Sequence, residues 1–173
     1  MKYSLLLAFV LGCSPTNTSI TDQILGDLRY DAPPDSTWDH QDTKEIGRQI
    51  SRWMPIENGN KESISIIRTT IDGRLKDASP AQLETVLAEA QRSLPAPSVL
   101  APTMTKTKQG LQEVEVVADF VPSGLKSSYH RVHAMIVDGD VLIHVLYTAR
   151  TPDPTLAMFR QVVDTIRRRR AES

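Results

Sequence analysis

The sequence predicts an α+β fold, a single antiparallel β-sheet sandwiched by helices. Three observations carry that expectation. Residues 129–137 and 141–149 are rich in Val, Ile and aromatic residues and flank Asp138-Gly139, the dipeptide that most strongly marks a two-residue hairpin turn. Ser79-Pro80-Ala81-Gln82 opens an apolar stripe of Leu83, Val86, Leu87, Ala90 and Leu94 at helical spacing, with a hydroxyl N-cap, Pro at the first helical position and Gln at N3. A second stripe, Leu156, Phe159, Val163 and Ile166, closes the chain. At 173 residues the chain is long enough for about one domain.

The elements follow in order. Residues 28–38 make a short apolar start and a proline turn ending at Trp38, and residues 46–56 form a strand or irregular edge broken by Pro55. Asn58-Gly59-Asn60 marks a tight turn, and the β-branched residues 63–71 form a strand. After the capped helix, Pro95 and Pro97 stop it, and residues 98–110 read as an exposed loop. Residues 111–121 alternate around Val114, Val116 and Val117 and stop at Pro122. A turn centred on Asp138-Gly139 pairs Val132 with Val145, Ala134 with Ile143, Ile136 with Val141 and His133 with His144. Both faces of that hairpin are substantially apolar, so the sheet is expected to be covered on both sides. Gly139→Val is expected to cost far more stability than Gly110→Val, because only the former is placed at a turn requiring positive φ.

The amino terminus carries a different signal. Lys2 precedes the apolar run 5–11, followed by Gly12 and Cys13, the only cysteine. Seven residues rise only about 10 Å as a helix, against a bilayer core of about 30 Å, so the run fits a secretory signal and not a membrane span. Val10-Leu11-Gly12-Cys13 resembles the bacterial lipobox. That resemblance implies a signal peptide over residues 1–12 and a Cys13 that carries a thioether-linked diacylglycerol, often with an N-acyl chain. Two or more acyl chains anchor stably, where one is marginal. Residues 13–22 then comprise the lipidated cysteine and a small, polar, flexible tether, and residues 23–170 the folded domain. In the sorting rule the resemblance brings with it, an Asp after the cysteine favours the inner membrane. Ser14 stands there, so the outer membrane is favoured in a cell that has one.

Composition narrows function mainly by exclusion. Twenty Lys and Arg against 21 Asp and Glu leave a net charge of −1, without the basic excess of a nucleic-acid binder. One cysteine makes no internal disulfide and no Cys-based zinc site. No Gly-x-Ser-x-Gly, Ser-x-x-Lys, His-Glu-x-x-His or phosphate-cradling glycine loop occurs, so an enzyme is not expected and no cofactor is implied.

The element order resembles a known family. An early Tyr30…Pro33-Pro34…Trp38 turn is followed by a strand, a central helix, a long Tyr129…Asp138-Gly139…Tyr147 hairpin and a closing helix, as in the Mog1/PsbP-like fold. The likeness spans about residues 28–168. It implies an antiparallel sheet between helices, and an accessory or binding role like that of the family's secreted lipoproteins, photosystem accessory proteins and small-GTPase partner. No member's binding residues match by motif. The expectation is therefore a non-catalytic envelope lipoprotein, tied to the membrane by its anchor and acting on an envelope protein partner.

Four sets of side chains remain as candidates. His133 facing His144 could form half of a metal site, with Asp119 or Glu115 supplying carboxylates; the plainer reading is a hydrogen-bonded histidine pair that stiffens the sheet. His130 shares the core face with Tyr147 and is read as structural. The run Arg167–Arg170 could meet anionic headgroups or an acidic partner, or complement the dipole of the last helix by roughly 0.3–1 kcal/mol each. Trp38 and Trp53 are read as core plugs.

Overall fold

The computed structural model describes residues 23–33, 37–56, 62–71, 78–79, 81–83, 85, 98–99, 103–121, 124–150 and 156–169. Cys13 with the expected signal peptide and tether, the expected Asn58-Gly59-Asn60 turn, and Val86, Leu87, Ala90 and Leu94 lie outside the described residues. The strands are β1 (Gln23–Leu25), β2 (Leu28–Tyr30), β3 (Trp38–Glu45), β4 (Arg48–Pro55), β5 (Glu62–Thr70), β6 (Ser98–Val99), β7 (Thr103–Lys106), β8 (Gln112–Phe120), β9 (Tyr129–Asp138), β10 (Val141–Ala149) and β11 (Arg167–Arg168), with a C-terminal helix at Leu156–Thr165.

The main sheet runs in the order β3-β4-β5-β10-β9-β8-β6, with β7 also on β8, and β1-β2-β11 form a small second sheet. Every described pairing is antiparallel. One face of the main sheet, with Ile64, Ile66, Val132, Ala134, Ile136, Val145 and Tyr147, is covered by Leu28 and Tyr30 of the small sheet and by Phe159, Val162 and Val163 of the helix. The opposite face gathers Val114, Val116, Met135 and Leu142 around Leu83. That second cover is the helical turn at residues 81–83 and 85. Its cap is as expected: the Ser79 N–H donates to Gln82 Oε1 at 2.7 Å, and the Gln82 N–H donates back to Ser79 Oγ at 3.4 Å. Among the described residues the molecule is sheet-dominated with few helices, and cover by helices on both faces is not shown beyond that turn.

The hairpin differs from the expected register. Asp138 pairs with Val141, so the two central turn residues are Gly139 and Asp140. Val132 therefore faces Tyr147, Ala134 faces Val145 and Ile136 faces Ile143; His133 faces Leu146, not His144. Gly139 takes the first central position at φ +62°, where glycine meets no steric penalty. Asp140 is held by Arg168 Nη1 at 2.9 Å. Moving the turn by one residue shifts each cross-strand partner by two, so every side chain keeps the face assigned to it. Gly110 also sits at positive φ, +79°. Valine is thus strained at both glycines, and Gly139 differs in that a Cβ there meets Arg168 Nη1 at 3.3 Å.

Three other expectations change. Residues 38–45 form a full strand, β3, at the sheet edge, where only Trp38 is buried and charged side chains blunt the edge. Within residues 98–110 lie two short strands, β6 and β7, that hydrogen-bond to β8. The last helix ends at Thr165; Ile166 is buried, and Arg167 and Arg168 pair with β2 as a strand. Arg167 and Arg168 are therefore not the final helical turn, although Arg167 Nη1 donates to the Thr165 carbonyl at 2.9 Å; Arg170 lies outside the described residues.

Candidate functional site

His133 and His144 lie diagonally across β9 and β10, on the face that carries Met135 and Leu142. Their rings meet: Nε2 of His133 is 2.9 Å from Nδ1 of His144, with centroids 5.2 Å apart. One of the two nitrogens carries the proton and the other accepts it. Burial pushes the His133 pKa down to about 3, helped by His144 and by Arg131 on the same strand, and burial pushes His144 down to about 4. Both rings are neutral at physiological pH. The two carboxylates proposed as co-ligands stand on the other face of the sheet. Asp119 binds His130 Nδ1 at 2.8 Å, and Glu115 binds Arg160. Arg160 also meets the fully buried Glu113 at 2.8 Å. Among the described residues no three His, Cys, Asp or Glu side chains come together as a metal cage.

A second polar network was not legible in the sequence. His40 of β3 stacks on Trp53 of β4, with centroids 4.1 Å apart and planes within 7°. Its Nε2 reaches both Asp42 Oδ1, at 2.8 Å, and Ser51 Oγ, at 2.7 Å. Ser51 Oγ lies 2.6 Å from the Tyr30 hydroxyl, which accepts from Trp53 Nε1 at 3.1 Å. One ring nitrogen serves both Asp42 and Ser51, so this is not the relay of a catalytic triad, which needs both nitrogens. Ser51 is also only 1% exposed. The network ties the small sheet to the main one, and Trp38 and Trp53 are buried as expected. Tyr30→Phe leaves the buried Trp53 N–H without this acceptor, at an expected cost of about 1–3 kcal/mol. The denaturation midpoint in urea checks this, and an unchanged midpoint would show that the network carries no stability.

The third cluster lies where the β1–β2 turn, the hairpin tip and β11 converge. Asp27 Oδ1 accepts from Arg68 Nε at 2.5 Å, and Asp27 Oδ2 accepts from Arg168 Nη2 at 2.8 Å and Nε at 3.0 Å. Burial alone would raise the Asp27 carboxyl pKa, but the hydrogen bonds from Arg68 and Arg168 outweigh it and hold it below its ordinary value. On one side opens a cleft of about 620 Å³ lined by Gln109, Leu111, Asp138, Arg167, Arg168 and Arg169. On the other lies a cleft of about 470 Å³ that includes Asp27, Lys44, Glu45, Arg48 and Arg68. Both are in the size range of ligand sites, although far more charged than most. They offer guanidinium groups to an anion.

No family model and no curated protein sequence matches the chain. Solved structures do. The cyanobacterial PsbP protein (CyanoP) from Synechocystis aligns with a TM-score of 0.57 at 13% identity, over 92% of this chain and 99% of that one. The fold is PsbP-like. LpqN, involved in cell envelope biogenesis of Mycobacterium tuberculosis, aligns at 0.53 and 14% identity over 80% of this chain and 83% of its own. A Bacteroides thetaiotaomicron protein aligns at 0.57 and 12% identity over 85% of this chain, which spans only 47% of that protein's length. At such identities the PsbP-like fold is shared and site residues are not carried across.

Proposed function

We propose that the protein is a membrane-anchored lipoprotein of the cell envelope that acts as a non-catalytic binding or accessory module on an envelope protein partner. The observation that carries this reading is the position of Cys13: the only cysteine follows the apolar run and Gly12 and stands ten residue steps before β1. The lipobox-like residues supply the anchor, and the outer membrane is the destination where the cell has one. The PsbP-like fold, shared with CyanoP and with LpqN, which is involved in cell envelope biogenesis, supports an accessory role. In this reading the capped turn at Leu83 belongs to a helix that covers the second face of the sheet, giving the full sandwich.

Cys13→Ser tests the anchor. The variant is expected to accumulate as an uncleaved precursor that takes up no palmitate, and labelled palmitate on the variant would sink the lipoprotein reading. The alternative, a metal-binding protein or metal-dependent enzyme using His133 and His144, draws on the contact between the two rings. A metal ion there would have to replace the ring–ring hydrogen bond. Stoichiometric zinc, copper or iron in purified protein would favour that alternative.

A further inference from the structure

We propose that the outer face of the β1-β2-β11 sheet rests on the phosphate headgroups of the anionic bilayer that holds the lipidated N-terminus, an inference that rests on the lipoprotein reading above. Directly paired residues in a sheet share a face. Ile24 pairs with Arg29, and Arg29 with Arg167, so the three form one row across the small sheet. Their alternates Leu25 and Leu28 are buried in the core, which turns the row away from it, with Arg29 and Arg167 half-buried. Ile24 is 48% exposed, and Arg169, continuing the chain beyond β11, is exposed as well. Asp31 lies 3.8 Å from Arg167 on the same side, whereas Asp27 and Asp140 are turned to Arg168. Half-buried guanidinium groups beside an exposed aliphatic chain suit a phosphodiester interface, with charge-assisted hydrogen bonds to phosphate and apolar contact just below it.

The tether decides which face the bilayer meets. Ten residue steps separate Cys13 from Gln23. A chain of that length spans at most about 35 Å and averages roughly 17 Å when flexible. Gln23 opens β1, which lies two strands from β11, about 10 Å across the sheet. The root of the tether and the arginine row thus occupy one small sheet. A headgroup contact too weak to hold a free protein becomes effective when the anchor keeps the surface nearby.

The test uses the mature lipidated chain in vesicles of phosphatidylcholine alone or with about one-third phosphatidylglycerol, and reads the rate of tryptic cleavage after Arg169. Cleavage is expected to be at least about fivefold slower in the anionic vesicles, the factor that one arginine near an anionic surface supplies. Cleavage after the exposed Lys126, in the loop between β8 and β9, should not change. High salt should remove the protection, and so should Ile24→Ser combined with Arg29→Gln. The salt arm stands even where that variant folds poorly. Equal rates in the two vesicle types, or protection that salt does not reverse, would overturn the inference. The mass of the chain separates the two readings: no acyl mass on Cys13 overturns the lipoprotein reading and this orientation together. An acylated chain without lipid dependence overturns the orientation alone.

Discussion

Acidification from pH 7 to pH 4 is expected to weaken the domain by several kcal/mol, chiefly through His133 and His144. An imidazole has a pKa near 6.5 in the unfolded chain, against about 3 and about 4 for these two rings in the fold. Between those values the unfolded chain binds protons that the native state refuses, so stability falls as pH falls. The loss begins near pH 6.5 and continues through pH 4 and then pH 3, at about 1.4 kcal/mol per ring for each unit. Against a total of roughly 5–15 kcal/mol this is decisive. Asp27, whose carboxyl is held low by Arg68 and Arg168, adds a further loss only below about pH 4. Denaturant midpoints at pH 7, 6, 5 and 4 measure the slope. His133→Leu with His144→Leu replaces both partners of a buried bond, which is close to neutral at pH 7, and should flatten the slope above pH 4. A double variant as acid-sensitive as the parent would show that other groups govern it.

Phe159→Ala is expected to cost about 3–5 kcal/mol. Phe159 is fully buried, and its ring lies 6.3 Å from that of Tyr147 at 45°. It is the largest side chain that the C-terminal helix places on the main sheet, between strand β10 and the small sheet. Loss on that scale would leave many domains of this size only marginally folded. Thermal unfolding with and without the substitution measures it, and a shift of less than about 1 kcal/mol would mean that the helix is not integral to the core.

What was legible in the sequence was local. The Ser79–Gln82 capping box, the β9–β10 hairpin and the stripe through Phe159 and Val163 each announce themselves within a few residues, and each is present among the described residues. What was not legible depends on partners distant in the chain. After Trp38 every residue of β3 is polar, so no alternation marks it; β4 makes it a strand. Arg167 and Arg168 look like a helix end until β2 lines up beside them and Asp27 takes the Arg168 guanidinium. The hairpin signal was right, but which dipeptide sits at its centre is set by Gly139 at positive φ and by the Arg168–Asp140 contact. His133 and His144 accordingly touch without being direct partners. The His40, Ser51, Tyr30 and Trp53 network spans 23 positions and carries no motif.

The Arg168–Asp27 bridge joins residues 141 positions apart, and this has a kinetic meaning. In a chain made from its N-terminus, β1 and β2 exist long before the strand that completes their sheet. Their buried leucines and Tyr30 have no full cover until the closing helix and β11 have appeared. Contacts of such long range demand most of the loop-closure entropy before they return any stability. The small sheet is therefore expected to assemble last. A nascent or threading chain leaves β2 without its second edge partner until β11 arrives, and loss of that strand would remove the pairing that completes the small sheet.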